Sequence, residues 1–379
     1  MKIAVLVKRF TLSGGKERYV VELVKSLYRL GHQVDVFACE AEQQLLNGIG
    51  FFRVPNRMTF SSVLNTISFV RETAKMLERH DYDIVHSHER NYTQAVLTLH
   101  SFSYYEGLKK YSLLRKLDQQ YLNLRSQLYL WLEQKQMKTP WLISVSTAIS
   151  RDVKENYHRT GNIVEIPPGV DLTVFDGASV HAMRQQARKE KNIKKNELAV
   201  LFVGSAFQRK GLDRLIPAIT EGMRLIIVGK GDHIPKFSKM IKAHPCGQRI
   251  SMEGITDNVI KYYALADVVV LPSRSEAFGM SILEGMACGL PVIVSRNSGV
   301  ADLIRHGENG FLVGKPSELP EFLELLRSGE KRRKIGCCAR KTAKQYGWSR
   351  VGAAHEALYK KILSKGELKN KRRNETNTA

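Results

Sequence analysis

No run of the chain approaches the roughly 18–20 consecutive apolar residues that a membrane-spanning helix needs. The first apolar run, Ile3–Val7, meets Lys8 and Arg9 at once, too soon for the apolar region of a secretory signal. The expectation is therefore a cytosolic chain. Cysteine is sparse: Cys39, Cys246, Cys288, Cys337 and Cys338 are odd in number and form no C-x-x-C pair. Reduced thiols fit that pattern better than a disulfide frame or a thiolate zinc site. Acidic residues are also short, 37 against 59 Lys and Arg in 379 residues, for a net charge of +22. Such an excess calls for an anionic partner, whether nucleic acid, anionic lipid or phosphorylated small molecule, and does not choose among them. Two glycine fingerprints are missing. Neither G-x-G-x-x-G nor G-x-x-x-x-G-K-[ST] occurs, which weakens the nicotinamide-oxidoreductase and P-loop readings.

What is present suits two domains. Apolar residues make up 43% and charged residues 25%, enough burial to fold and too much for wholesale disorder. Short apolar runs alternate with helically spaced segments: Ile3–Val7, Val34–Phe37, Ile84–His86, Val96–His100, Leu142–Val145 and Ile163–Ile166. After Pro167-Pro168-Gly169 and a basic stretch from Arg184 to Lys195 the alternation restarts with Ala199–Val203, Leu225–Val228, Ile250–Met252, Val268–Leu271 and Val292–Val294. Strand–helix alternation of this kind implies α/β architecture with parallel sheets covered on both faces. Two doubly wound halves with a cleft between them are expected, followed by a polar tail from Lys365.

Glycine loops after strands present backbone N–H groups at helix N-termini, where phosphates bind well. Gly14-Gly15 and Gly204…Gly211 are such loops, and Arg209-Lys210-Gly211 adds two cations suited to a diphosphate; a solvated basic turn would look similar. Further on, Glu276 falls in a loop and Glu284 on the following helix, with the amides of Phe278, Gly279 and Met280 at its start. One carboxylate can accept from sugar hydroxyls and the other from a ribose diol, although surface helices carry many paired glutamates. Asp81-Tyr-Asp83 has the form of a D-x-D metal motif but precedes a strand, where a turn-capping aspartate accounts for it.

These residues together resemble the retaining nucleotide-sugar glycosyltransferases of the GT-B fold, family 4. The resemblance covers most of the chain and rests on Gly14-Gly15, Asp83-Ile-Val-His86, Pro168-Gly169-Val170-Asp171, Val203-Gly204 with Arg209-Lys210-Gly211, Val228-Gly229-Lys-Gly231, and above all the E-x7-E pattern Glu276…Glu284 followed by Gly289-Leu290-Pro291-Val292. Within that family the segment Gly204–Arg214 resembles the lipopolysaccharide core glucosyltransferases. The resemblance implies an acceptor-binding domain over 1–168 and a nucleotide-sugar-binding domain over 169–345. A helix over 346–364 would return to the first domain, leaving a tail over 365–379. It implies Arg209 and Lys210 at the donor diphosphate, Glu284 at the ribose, and Glu276 with Phe278, Gly279 and Met280 at the donor sugar. Gly15 would lie near the diphosphate, Val170 and Ile255 beside the nucleotide, and His100 near the transferred sugar; as a lone strand-end histidine, His100 is equally explained as structural. Gly14, Glu17 and Arg18 fall on the acceptor side. At Tyr19 the chain departs from the pattern, which carries an acid there.

The expected chemistry follows. Charge developing on the leaving diphosphate is met by Arg209, Lys210 and helix amides, so no metal or other cofactor is expected. The resemblance implies front-face attack by the acceptor hydroxyl with retention. The expected donor is UDP-glucose and the expected acceptor an anionic glycolipid, the lipopolysaccharide core, at the inner face of the cytoplasmic membrane. GDP-mannose or UDP-N-acetylglucosamine with another glycolipid or polysaccharide is the alternative. Tyr104–Lys138 combines tyrosines, leucines and seven Lys/Arg against three acids, as an interfacial helix on anionic lipid would; an amphipathic helix packed on the sheet would also. From another class, a nucleic-acid-binding protein fits the charge, but no helix-turn-helix, zinc or RNA-binding signature is found and no nucleic-acid partner is expected. The basic run Arg327–Lys344 has no role beyond a solvated or lipid-facing helix.

Overall fold

The computed structural model describes residues 1–56, 61–91, 93–109 and 123–365. The chain forms two compact units, Met1–Pro168 with Trp348–Ala379, and Gly169–Gly347. In the first, seven strands form one sheet: β1 (Lys2–Leu6), β2 (Gln33–Ala38), β3 (Gly50–Arg53), β4 (Ile84–Ser87), β5 (Val96–Leu99), β6 (Trp141–Ser144) and β7 (Ile163–Glu165). Their spatial order is 3-2-1-4-5-6-7 and every pairing is parallel. The second unit holds β8 (Leu198–Val203), β9 (Met223–Val228), β10 (Ile250–Gly254), β11 (Val268–Leu271), β12 (Val292–Ser295) and β13 (Phe311–Val313). Their order, 10-9-8-11-12-13, is again wholly parallel. Each sheet reverses its winding beside its first strand, the doubly wound pattern.

The strands read as continuous apolar runs because both faces are covered. Ile3, Ala4, Val5 and Leu6 are fully buried, as are Val200, Leu201, Phe202, Val268, Val269 and Val270. Two strands of these sheets escaped the sequence reading. Gly50–Arg53 is an edge strand, half-buried up to its exposed last residue, and Phe311–Val313 is three residues long; neither offers a long apolar run. Asp83 accepts the Lys2 N–H through Oδ2 at 2.7 Å, so it holds the entry of β1.

The longer helices that position the rest include α1 (Gly15–Arg29), α2 (Ser62–Leu77), α3 (Leu124–Gln136), α4 (Thr147–Tyr157), α5 (Gly177–Glu190), α6 (Met280–Ala287), α7 (Gly329–Ala343) and α8 (Trp348–Ser364). In the second unit, α5 and α7 converge on Asp267, which is buried at the entry of β11 and meets Arg184 at 2.6 Å, Arg188 at 2.9 Å and Arg332 at 3.3 Å. Three guanidiniums on one buried carboxylate satisfy a charge that would be costly alone.

In the first unit α8 lies against α1 so closely that a Cβ on Gly352 would come 2.7 Å from Cβ of Ser26. Behind this contact sits a buried histidine cluster. His86 on β4 meets Tyr359 Oη through Nδ1 and Thr98 Oγ1 through Nε2, both at 2.7 Å. His355 Nδ1 donates to the Val351 carbonyl at 2.7 Å, so its Nε2 accepts from Tyr19 Oη at 3.2 Å. Burial disfavours the charged rings: His355 is pushed down to about 4, and His86 lies well below the ordinary range. Because the folded values lie below the unfolded one, the unfolded chain takes up protons first as pH falls. Stability should therefore hold above pH ~6.5 and fall from there toward pH 4; urea midpoints measured across that range check it, and a flat profile would contradict it.

Candidate active site

In open parallel sheets of this winding, ligands meet the protein outside the strand C-termini where the order reverses. In the second unit that place lies beyond β8 and β11. At Gly204, just past β8, a Cβ would fall 2.4 Å from Cδ and 2.7 Å from Nζ of Lys210, so the glycine is the corridor for the lysine chain. A short helix, Phe207–Lys210, ends at Gly211, which has φ +80° and would press a Cβ to 2.2 Å from the Pro272 carbonyl oxygen. This lashes the first loop to the second. Arg274 N–H donates to the Arg209 carbonyl at 2.8 Å, and its guanidinium grips both oxygens of Asp213 at 2.7 and 2.6 Å.

Glu276 is fixed at its backbone on both sides: its N–H donates to the Asn297 carbonyl at 3.1 Å and its carbonyl accepts from Gly299 at 3.0 Å. Its carboxylate meets Arg209 Nη1 at 3.1 Å and Lys210 Nζ at 3.4 Å. Arg209 Nη1 also donates to the Ser275 carbonyl at 2.7 Å. The Arg209 side chain is half-exposed, whereas those of Lys210 and Glu276 are largely covered. Four residues on, α6 opens at Met280 behind Gly279, whose φ is +106°, and no side chain caps it. Its first-turn amides and dipole favour an anion. Phe278 is buried, its carbonyl accepting from Val300 at 2.8 Å. Glu284 is buried one turn inside α6 and accepts from Tyr263 Oη at 2.7 Å.

The structure thus gathers Arg209, Lys210, Glu276 and Gly279 at one loop pair. Two other expected residues lie outside that loop pair. Val170 is buried, its N–H bonded to the Tyr346 carbonyl at 2.8 Å, while Ile255 is 72% exposed beyond β10.

The first unit has its own polar cavity of about 330 Å³ beyond β1, β4 and β5, lined among others by Lys8, Lys16, His88, Arg90, His100 and Tyr129. Lys16 Nζ meets Glu89 Oε1 at 2.5 Å, Arg90 lies over the Tyr129 ring at 4.6 Å, and burial lowers the Lys8 ammonium. His100 Nε2 sits 2.9 Å from His88 Nδ1, and burial beside Lys16 pushes His100 down to about 3. His88 is buried, with its Nε2 unpartnered. Nearby, a Cβ on Gly14 would fall 2.3 Å from Glu17 Oε2, so the glycine lets that carboxylate fold back, where it meets Arg9 at 3.1 Å. Gly15 opens α1, and the Gly14 carbonyl accepts from the Arg18 N–H at 2.9 Å. Tyr19 does not face the loop at all; it is buried among His355, His100 and Trp348.

The family described as Glycosyltransferase Family 4 matches residues 13–174, and Glycosyl transferases group 1 matches residues 183–342. The chain is a glycosyltransferase of these families, with the GT-B fold. Among curated relatives, the D-inositol 3-phosphate glycosyltransferase of Thermobispora bispora is 26% identical over 93% of this chain and 91% of its own. Among solved structures, WaaG, a glycosyltransferase involved in lipopolysaccharide biosynthesis, superposes with a TM-score of 0.82 at 21% identity, over 94% of this chain and 99% of that one. Anabaena HepE in complex with UDP-glucose gives 0.75 at 20% identity, over 96% of this chain and all of that one.

Sequence reasoning did not pick out the glycosyltransferase's Tyr263, Asp213–Arg274 pair, or Lys8–Lys16–Arg90 rim. Tyr263 and Arg274 act through residues distant in sequence, and the rim comes from two loops and the first turn of α1. The Gly204 corridor yields a direct test. Gly204→Ala should displace Lys210 and weaken UDP or GDP binding by about tenfold, while thermal unfolding shifts by only a few degrees. Calorimetric titration alongside a melting curve reads both.

Proposed function

We propose that this glycosyltransferase transfers glucose from UDP-glucose, with retention, to the heptose region of a lipopolysaccharide core at the inner face of the cytoplasmic membrane. The observation that carries the donor half is the convergence of Arg209, Lys210 and Glu276 beside an uncapped helix start. In this reading Arg209, Lys210 and the amides of Gly279 and Met280 take the charge that grows on the diphosphate as the anomeric C–O bond breaks. The acceptor oxygen bonds to the anomeric carbon on the same face, and its proton passes to the departing phosphate oxygen. Glu276 and Phe278 hold the donor sugar, Glu284 the ribose, and Val170 and Ile255 flank the nucleotide. The second unit is the donor domain. The first, with Gly14, Gly15, Glu17, Arg18, His100 and the polar cavity, is the acceptor domain; His100, held neutral, donates or accepts without carrying charge. No metal is required in this scheme, since the leaving charge already has cations and amide dipoles.

Support for UDP-glucose is the likeness in fold to a UDP-glucose complex, and support for the acceptor is the likeness to a lipopolysaccharide enzyme. The membrane reading is favoured by α3, which exposes Leu124, Leu128 and Trp131 with Lys135 lying 5.8 Å from the Trp131 ring. The Leu113, Leu117, Lys110, Arg115 and Lys116 portion of that stretch lies outside the described residues, as does the tail after Lys365. The near full-length relative named for D-inositol 3-phosphate favours a second reading with a different acceptor; GDP-mannose or UDP-N-acetylglucosamine would then be the donor to try first.

A panel of nucleotide sugars, scored by released UDP or GDP, tests the donor, and mass analysis of glycolipid from cells lacking the protein tests the acceptor. A glycolipid truncated before its first core glucose is expected; an unaltered core would overturn the acceptor assignment. Glu276→Ala, Arg209→Ala and Lys210→Ala should each lower kcat/KM by roughly 10²–10³-fold with the fold intact, the scale seen when one charge-stabilising donor is removed. Full activity in all three would remove the donor-site assignment. For the membrane contact, reversing charge at Lys109, Lys110, Arg115 and Lys116 should cut co-sedimentation with anionic vesicles, and unchanged pelleting would count against it.

A further inference from the structure

Glu276 presents a difficulty for a donor site. Its carboxylate is an anion lodged between the two cations that a diphosphate would need, 3.1 Å from Arg209 and 3.4 Å from Lys210. The other acids of these loops are engaged elsewhere: Asp213 is gripped by Arg274, and Asp232 Oδ1 accepts the Gln208 N–H at 3.1 Å. We propose that Glu276 is an exchangeable counter-ion, which the donor diphosphate displaces from Arg209 and Lys210 and which returns to them after transfer to hasten release of the nucleoside diphosphate. The proposal rests on the reading of Arg209 and Lys210 as the diphosphate site.

The surroundings permit a side-chain exchange without loop movement. Both backbone polar groups of Glu276 are tied, to Asn297 and Gly299, so only the torsions beyond Cα need change. Arg209 keeps its bond to the Ser275 carbonyl when the carboxylate leaves, and Lys210 stays in the corridor over Gly204. Gly279 leaves room on the other side, since even a methyl there would stand 3.6 Å from Cγ of Glu276. A diphosphate carries more negative charge than one carboxylate and so wins the cations.

The energetic consequence separates donor from product. An intact nucleotide sugar breaks the two ion pairs but offers hydroxyls to the freed carboxylate. A nucleoside diphosphate breaks the same pairs and offers nothing in return. Glu276 therefore weakens product binding relative to donor binding, and a carboxylate is needed for both halves of the effect. A glutamine of the same length would leave the cations unopposed.

The test is calorimetric titration of UDP, uridine and UDP-glucose into wild type, Glu276→Gln and Glu276→Asp, with melting curves as a check on folding; GDP, guanosine and GDP-mannose replace them if wild type binds GDP instead. Glu276→Gln should bind the nucleoside diphosphate about three- to tenfold more tightly, which is roughly 0.7–1.4 kcal/mol at 1.4 kcal/mol per decade. The nucleoside should be unaffected, and the ratio of donor to diphosphate affinity should fall. Glu276→Asp, whose carboxylate is drawn back by one methylene, should show a smaller gain and serves if the glutamine variant does not fold. The gain should shrink when Lys210→Met is added, because the competing pair is then already half gone. Diphosphate binding that is unchanged or weaker in both variants overturns the exchange. If wild type binds the diphosphate and loses it on Lys210→Met, the donor-site reading survives that failure. If wild type binds neither UDP nor GDP, both the reading and the exchange fall.

Discussion

The constraint on which everything else depends is that both sheets are buried on both faces. A strand such as Ile3–Leu6 or Val268–Leu271 has no side that can carry a polar group to solvent. Chemistry is thereby driven to the loops at the strand C-termini, and the reversal of winding beside β1 and beside β8 decides which loops diverge enough to admit a ligand. In the second unit those loops are cross-tied by Gly211 against Pro272 and by Arg274 against Asp213. Arg209, Lys210 and Glu276 are thus held on cross-tied loops, not on free turns.

Much of this was legible from residues in order. The buried strands announce themselves as β-branched and aliphatic runs, and the E-x7-E spacing puts Glu276 in a loop and Glu284 on a helix because the strand, turn and helix are contiguous. The edge strands Gly50–Arg53 and Phe311–Val313 were not legible, since an edge needs neither length nor a full apolar pattern. The partners of the site were also hidden. Tyr263 reaches Glu284 from 21 residues earlier in the chain, and Asp213 reaches Arg274 from 61 residues earlier; no local periodicity records such pairings. At Tyr19, where the chain departs from the family pattern, the side chain is taken by the histidine cluster because α8 covers that face of α1.

The net charge of +22 divides in the same way once partners are known. Arg184, Arg188 and Arg332 are spent on Asp267, and Arg340 meets Asp176 at 2.5 Å. These are structural struts, four guanidiniums on two carboxylates, so half of their charge is cancelled. On α7 the remaining cations, Lys331, Arg333, Lys334 and Lys341, are exposed opposite the buried Ile335, Gly336, Ala339 and Ala343. Overall charge therefore overstates what is free to attract an anion, and in the proposed donor site the pull would come from Arg209, Lys210 and oriented amides at short range.

The position of α8 in the chain has a consequence for how the molecule is made. The helix that covers α1 and supplies His355 and Tyr359 to the first unit is separated from the rest of that unit by the whole of Gly169–Gly347. On a ribosome adding about 5–20 residues per second, residues up to Pro168 wait roughly 10–35 s before their last helix emerges. During that interval Tyr19 and His86 lack their partners, and the apolar face of α1 that α8 will cover is bare. The second unit, by contrast, is contiguous and can close as soon as it is out. The unit begun first is therefore finished last, and its uncovered face is the surface that a chaperone would have to guard.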